Sequence, residues 1–198
     1  TDLLGPLRRA RSAGARALLV SGYLEESIRT ARVLRQIGWR PDAFFATVGP
    51  TLPAYRKALG AAADGTLSSS QWVHHERLPI ADSARFARDF TRAYGEPPSY
   101  QAASAYAAGQ ILAAAIRSAG AVDRERVRDA LATLNFTSLI GRYGVDQSGR
   151  QIRHSLLVLQ WQRGSQEVVG PAELRTAPPL LGGGAEARRP KSSLRGKP

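Results

Sequence analysis

Short apolar runs alternate with amphipathic helical patterns through the first 70 residues, and this alternation restricts the fold more than any other feature of the chain. The runs that predict strands are residues 17–20, 43–46 and 66–72, and the patterns that predict helices are residues 2–13, 24–37 and 51–59. Short connections between strands and helices in this order are typical of a doubly wound α/β fold with a parallel sheet. Because residues 17–20 are apolar throughout, we expect them to form a buried strand of that sheet.

The middle of the chain is predicted to be helical, with helices over residues 83–94, 100–119 and 124–134. Phe86, Phe90 and Tyr94 recur at intervals of four residues, which indicates a single helix face packed into a core rather than a cofactor site. The Ala-rich helix over 100–119 is expected to be buried nearly all round.

An alternating pattern follows and predicts a C-terminal β-meander. Its strands are expected at residues 139–145, 155–162 and 167–169, with Asp146-Gln147-Ser148-Gly149 as a turn. From residue 172 the composition changes to Pro, Gly, Ala and Arg, which predicts a disordered tail over 172–198.

Composition excludes several classes of protein. The 198 residues include no Cys, so disulfides, zinc fingers and thiol nucleophiles are excluded. The net charge is +12, but the arginines are dispersed along the helices and interleaved with acids. A nucleic-acid-binding surface would concentrate positive charge and add stacking aromatics, so we expect no nucleic acid partner, although the charge keeps that alternative open.

The sequence contains no recognisable catalytic or metal-binding motif, so an enzyme is not expected. His74-His75-Glu76 is the richest cluster of metal-ligand side chains, but adjacent residues of an extended segment point to opposite faces. Glu25-Glu26 falls in the first turn of a helix, where acids ordinarily interact with the helix dipole. No cofactor and no metal are expected.

The candidate binding residues follow the predicted strands. Gly22 and Tyr23 come after the first strand, Thr47 and Val48 after the second, and Trp72 ends the third. Ligands of open α/β sheets bind beyond the carboxyl ends of the strands, and apolar walls with few polar groups suit a small molecule. The alternative is that Tyr23 and Trp72 are half-buried structural aromatics.

An ordered set of motifs resembles one family. The motifs are Gly22-Tyr23, Asp64-Gly65, Ser69-Ser70-Gln71-Trp72, Phe86, Phe90, Tyr94-Gly95, Pro98-Ser99-Tyr100-Gln101-Ala102-Ala103, Val127-Arg128-Asp129-Ala130-Leu131, Gly141-Arg142-Tyr143, Asp146, Gly149-Arg150-Gln151 and Gln160-Trp161-Gln162. This series resembles the C-terminal half of the leucine/isoleucine/valine-binding-protein-like solute-binding proteins of ABC transporters.

The resemblance implies a partial type I periplasmic-binding-protein fold, whose two lobes are joined by three crossover strands. Residues 1–69 would form part of the second lobe, 70–138 a crossover and helices packing on the first lobe, and 139–171 a return to the second lobe. A signal peptide and most of the first lobe would precede Thr1. The helices over 83–94 and 100–119 would then carry apolar faces that the missing first-lobe segment or another chain covers.

The resemblance also implies a function and a site. The protein would capture a small-molecule ligand between its lobes and deliver it to a membrane permease, in a periplasmic or extracellular location and, at full length, with a possible lipid anchor. Tyr23 inherits an aromatic ligand contact. Members that bind amino acids place a Glu for the ligand's ammonium group where this chain has Thr47-Val48. A carboxylate or an amide without an ammonium group is therefore expected, and a ligand-sensing module of a larger receptor is the alternative function.

Overall fold

A computed structural model describes residues 2–78, 80 and 82–182 of the chain. The α-helices are α1 (Leu4–Ser12), α2 (Leu24–Gln36), α3 (Pro53–Leu59), α4 (Ser83–Tyr94), α5 (Tyr100–Ala119) and α6 (Arg124–Thr133). The strands are β1 (Ala17–Val20), β2 (Ala43–Ala46), β3 (Thr66–Ser70), β4 (Phe136–Ser138), β5 (Gly141–Tyr143), β6 (Leu157–Gln162) and β7 (Ser165–Gly170). None of the helices in these residues is long and apolar enough to cross a membrane.

The described strands form two sheets. One has five strands in the order β1-β2-β3-β6-β7, and β2 pairs in parallel with both β1 and β3. The other is the antiparallel pair β4-β5. The predicted α/β fold with a parallel sheet is confirmed.

The chain divides into two compact units. Of the described residues, unit 1 comprises those within 2–68, 159–169 and 177–182, and unit 2 comprises those within 69–158 and 170–176. Three of the boundaries fall inside β3, β6 and β7. Three strands therefore carry the chain from one unit to the other.

Unit 1 has an aromatic and aliphatic core between helices and sheet. Ile28, Ala31 and Leu34 come from one face of α2 and pack with Phe44 of β2 and with Trp161 of β6. The α2 residues recur at intervals of three and four, so the helical pattern in the sequence becomes the buried face.

Unit 2 has a smaller core, in which Trp72 and Phe86 pack with Ala103 and Ala107 of α5 and with Leu139. The rings of Trp72 and Phe86 meet edge to face with their centroids 5.6 Å apart, a favoured aromatic geometry.

Three predictions about burial are wrong. Leu19 is 76% exposed, because side chains alternate between the two faces of a strand and it is Leu18 and Val20 that pack against the core of unit 1. Tyr94 is 70% exposed, so the aromatic face of α4 is buried at Phe86 and open at its C-terminal end. Helix α5 buries only one side, and Tyr106 and Leu112 lie on its exposed surface.

The C-terminal β-structure also differs from the prediction. The segment 139–145 does not form one strand, because β4 ends at Ser138 and a turn with Gly141 at φ +113° begins β5. The turn after it forms as predicted, since the Gly149 amide donates to the Asp146 carbonyl at 2.9 Å. The Asp146 carboxylate also accepts from the Ser148 hydroxyl and the Arg150 amide, and these bonds lower the pKa of Asp146.

The first part of the predicted disordered tail is ordered. Residues Ala172–Leu174 form a 3-10 turn. The side-chain amide of the buried Gln160 bonds both backbone groups of Leu180: Nε2 donates to the Leu180 carbonyl and Oε1 accepts from the Leu180 amide, each at 2.8 Å. A side-chain amide offers the same donor and acceptor as a peptide group, which explains why this Pro-rich segment is held without a strand partner. Residues 183–198 of the predicted tail lie outside the described residues.

Candidate functional site

The candidate site lies in unit 1, where β1 and β2 end side by side. The register pairs Val20 with Ala46, so the loops that carry Gly22 and Thr47 leave the sheet at the same level. The Thr47 amide donates to the Val20 carbonyl at 3.1 Å, which continues the pairing one residue past the strands. Parallel pairing therefore brings together two segments that are 25 residues apart.

The Thr47 hydroxyl joins the two loops. It accepts from the Gly22 amide at 3.1 Å and donates to the Gly22 carbonyl at 2.8 Å. Both polar backbone groups of Gly22 are thus satisfied by one side chain. Because the hydroxyl hydrogen is used in this way, a ligand can only donate to Thr47 and cannot accept from it.

Tyr23 has a fixed backbone and an exposed ring. Its amide donates to Glu26 Oε2 at 3.0 Å, and its carbonyl accepts from the Ser27 amide at 3.2 Å and from the Ser27 hydroxyl at 2.6 Å. The side chain is nevertheless 74% exposed. The first turn of α2 therefore presents an aromatic face and a phenol to solvent from a rigid position.

The loop after β2 is fixed from several sides. The Pro50 carbonyl accepts from Trp161 Nε1 at 2.8 Å and from Gln166 Nε2 at 2.6 Å. The Val48 carbonyl accepts from the Thr51 hydroxyl at 2.7 Å. These bonds hold Val48, which is half-buried, beside Thr47.

Gly49 permits the close packing of this loop on α2. A Cβ at Gly49 would lie 2.5 Å from Ser27 Oγ and 2.9 Å from the Tyr23 carbonyl oxygen, so no larger residue fits without movement. Sequence reasoning missed Ser27 and Gly49 as supporting residues. The sequence could have indicated Ser27, because it lies on the same helix face as the apolar residues Ile28, Ala31 and Leu34, and that face is buried.

The structure brings four of the five predicted binding residues together. Gly22, Tyr23, Thr47 and Val48 form one surface of unit 1, hereafter the strand-end site. Trp72 belongs to unit 2, is 3% exposed and donates from Nε1 to the Ser83 hydroxyl at 3.1 Å. Trp72 is thus a core residue of unit 2 and offers almost no surface to a ligand in this structure.

The histidines near Trp72 are engaged within the protein. The His74 ring stacks on Trp72 with centroids 6.3 Å apart, and His75 Nδ1 accepts from the Arg77 amide at 3.1 Å. Within residues 2–78, 80 and 82–182, no group of three or more His, Cys, Asp or Glu side chains is placed to hold a metal ion.

Comparison with known proteins identifies the family. A model of the periplasmic binding proteins matches residues 1–166. The structure is similar to a leucine binding protein LivK from Thermotoga maritima, with 27% identity, a TM-score of 0.69 and coverage of 84% of this chain and 47% of the other. It is similar to LivJ from Streptococcus pneumoniae in complex with isoleucine, with 22% identity, a TM-score of 0.70 and coverage of 86% and 49%.

A solute binding protein of an ABC transporter from R. palustris, solved in complex with benzoate, is also similar, with 19% identity, a TM-score of 0.68 and coverage of 91% and 49%. The chain spans about half the length of each of these proteins. The expected resemblance and the expected fold are both confirmed, and the chain belongs to the periplasmic binding protein family.

Proposed function

We propose that this chain supplies the second-lobe half of the binding site in the substrate-binding component of an ABC transporter of the branched-chain amino acid type. The observation that carries the proposal is the presentation of Tyr23, which has a fully bonded backbone and a ring that is 74% exposed beside the paired ends of β1 and β2. Gly22, Thr47 and Val48 complete the contact surface, and the location is periplasmic or extracellular.

We propose a ligand that carries a carboxylate or an amide and no ammonium group. A buried ammonium needs an anionic partner, because an unpaired charge in a closed site is costly. The loop after β2 offers Thr47 and Val48 and no acid. Glu26, in the first turn of α2, uses Oε2 to accept from the Tyr23 amide. The similarity to a protein solved with benzoate supports this choice.

We further propose two macromolecular partners, a membrane permease and the first-lobe segment of the same protein or another chain. Exposed apolar surface in each unit supports the second. Leu19 is exposed on β1 in unit 1, and Tyr94, Tyr106 and Leu112 are exposed on α4 and α5 in unit 2. Large apolar side chains exposed on neighbouring helices are candidates for a contact surface.

The test is a calorimetric titration of the 198-residue chain with benzoate, benzamide and leucine. We expect benzoate to bind more tightly than leucine. We expect Tyr23→Ala to weaken benzoate binding by about tenfold, because loss of a stacked aromatic contact costs about 1–1.5 kcal/mol. Tyr23→Phe should retain most of the affinity if the ring face makes the contact.

Tyr94→Ala is the matched control, because Tyr94 is 70% exposed and lies outside the strand-end site. Tighter binding of leucine than of benzoate would overturn the proposed ligand class. Equal losses in Tyr23→Ala and Tyr94→Ala would overturn the assignment of the site to this chain.

A further inference from the structure

Unit 2 contains a cavity that is separate from the strand-end site. Its volume is about 360 Å³, and every residue that lines it belongs to unit 2. The apolar part of the wall includes Ile80, Leu157 and Leu174. This volume lies at the lower end of the range of roughly 300–1,000 Å³ that is typical of small-molecule sites.

One wall of the cavity is the turn between β4 and β5, and two polar side chains hold it. The Leu139 amide donates to Gln110 Oε1 at 2.8 Å, and the next carbonyl, that of Ile140, accepts from the His154 imidazole. Gln110 and His154 therefore meet consecutive residues of the same turn, and both line the cavity. The cavity thus combines a fixed turn with polar side chains.

His154 Nε2 is one of two side-chain atoms in the described residues that are buried without a hydrogen-bond partner. Buried polar atoms are normally satisfied, and an exception calls for an explanation such as a bound molecule. His154 is itself a lining residue of the cavity, so this unsatisfied atom belongs to a side chain of the cavity wall.

The charged residues of the wall favour an anion. Arg142 and Arg153 both line the cavity. The contact of the Arg153 guanidinium with Asn135 Oδ1 is long, at 3.5 Å, and no ion pair is formed by either arginine within the described residues. Of the two acids in the wall, Asp82 is paired with Arg85 at 3.2 Å, which leaves Glu173 as the opposing charge. Guanidinium groups bind carboxylates with two parallel hydrogen bonds, so an apolar wall beside two arginines suits a carboxylate with a hydrocarbon chain.

We propose that the cavity of unit 2 bounded by Gln110, Arg142, Arg153 and His154 is a second binding site, for a small aliphatic carboxylate. The carboxylate is held by Arg142 and Arg153, and its hydrocarbon chain lies against Ile80, Leu157 and Leu174. This site includes no residue of the strand-end site, so an experiment that refutes one of the two sites leaves the other untouched.

The experiment titrates the 198-residue chain with hexanoate, and with hexanamide as the uncharged counterpart. We expect hexanoate to bind at least about tenfold more tightly than hexanamide, because charge-assisted hydrogen bonds are stronger than neutral ones. Arg142→Ala/Arg153→Ala should weaken hexanoate binding by about tenfold or more. Both arginines are exposed, so the double variant is expected to fold. Because Arg153 also packs against Gly144, the single variant Arg142→Ala replaces the double variant if the latter does not fold.

Arg124→Ala/Arg128→Ala is the matched control, because it removes the same charge from α6, outside the cavity wall. It should change hexanoate affinity by less than about twofold, as expected for distant surface charges. The chain has three histidines, so imidazole NMR signals can be assigned, and hexanoate should shift the His154 signals while those of His74 and His75 stay in place.

Equal affinity for hexanoate and hexanamide, no binding of hexanoate, or an unchanged His154 spectrum at saturation would overturn the second site. If both double variants lose the same hexanoate affinity, binding depends on the net charge of the chain, and the second site is refuted. Loss of hexanoate binding in Tyr23→Ala with no effect of Arg142→Ala would place the carboxylate at the strand-end site, which contradicts the second site and leaves the proposed function intact.

Discussion

Replacing Thr47 with Val tests whether one hydroxyl holds the strand-end site together. Valine has nearly the shape of threonine, so the substitution removes the hydroxyl and leaves the packing close to unchanged. Two hydrogen bonds are lost, the one donated by the Gly22 amide at 3.1 Å and the one accepted by the Gly22 carbonyl at 2.8 Å. The bond from the Thr47 amide to the Val20 carbonyl at the end of β1 remains.

The expected loss of stability follows from these two bonds. A typical intramolecular hydrogen bond contributes about 0.5–1.5 kcal/mol net, and Gly22 is only half-buried, so water replaces part of the loss. We therefore expect Thr47→Val to lower the free energy of unfolding by about 1–2 kcal/mol. With a urea m-value of about 2 kcal/mol/M, the midpoint of unfolding falls by about 0.5–1 M.

The assay is urea unfolding of the 198-residue chain followed by circular dichroism. Thr47→Ser is the control, because serine keeps a hydroxyl that can make both bonds, so its midpoint should lie between those of the wild type and Thr47→Val. An unchanged midpoint in Thr47→Val, or equal losses in the Val and Ser variants, would show that the hydroxyl does not hold the two loops. In parallel, benzoate affinity should fall in Thr47→Val and recover in Thr47→Ser.

Two further substitutions test unit 1 and the support of the site. Burial raises the pKa of Tyr55 from 10.0 to about 12, against the opposing effect of its hydrogen bond to Thr66. Tyr55 therefore ionises at lower pH in the unfolded chain than in the folded protein, so its contribution to stability is complete well below pH 10 and falls by about 2 kcal/mol as the pH rises to 12. Tyr55→Phe should lack this loss in unfolding experiments between pH 9 and 12, and the same slope in both proteins would contradict the assignment. Gly49→Ala places a Cβ 2.5 Å from Ser27 Oγ and should destabilise by about 1–3 kcal/mol. Gly109→Ala, on the open surface of α5, should instead be neutral or stabilise by up to about 1 kcal/mol, and thermal unfolding that ranks the two variants in the opposite order would refute the packing argument.

The sequence predicted the helices and the parallel strands well, because their signals are local. The face of α2 that carries Ile28, Ala31 and Leu34 is periodic in the sequence and is buried in the structure. The turn from Asp146 to Gly149 was also predictable, since both residues are strongly favoured at those positions of a turn.

Burial was less predictable where it depends on neighbours. Leu19 and Tyr94 are apolar or aromatic and continue buried patterns, yet Leu19 lies on the uncovered face of β1 and the aromatic face of α4 opens at its last turn. A sequence pattern shows which side chains favour burial, and it does not show whether another element covers them.

The strand-end site was predictable in part. That loops after parallel strands meet at one edge of a sheet is a general rule, and it correctly brought Gly22, Tyr23, Thr47 and Val48 together. The same rule grouped Trp72 with them, but the chain passes into unit 2 within β3, before Trp72 is reached, and Trp72 enters that unit's core.

The sequence alone determined the order of elements, the family resemblance and the residues at the ends of the strands, because these follow from local periodicity and from motifs. Only the tertiary structure decided which of those residues are exposed, how the Thr47 hydroxyl is used and how Gln160 orders the segment before residue 183. The physical reason is the distance in sequence between partners. Trp161 fixes the loop after β2 by donating to the carbonyl of Pro50, 111 residues earlier, and no local pattern records such a bond.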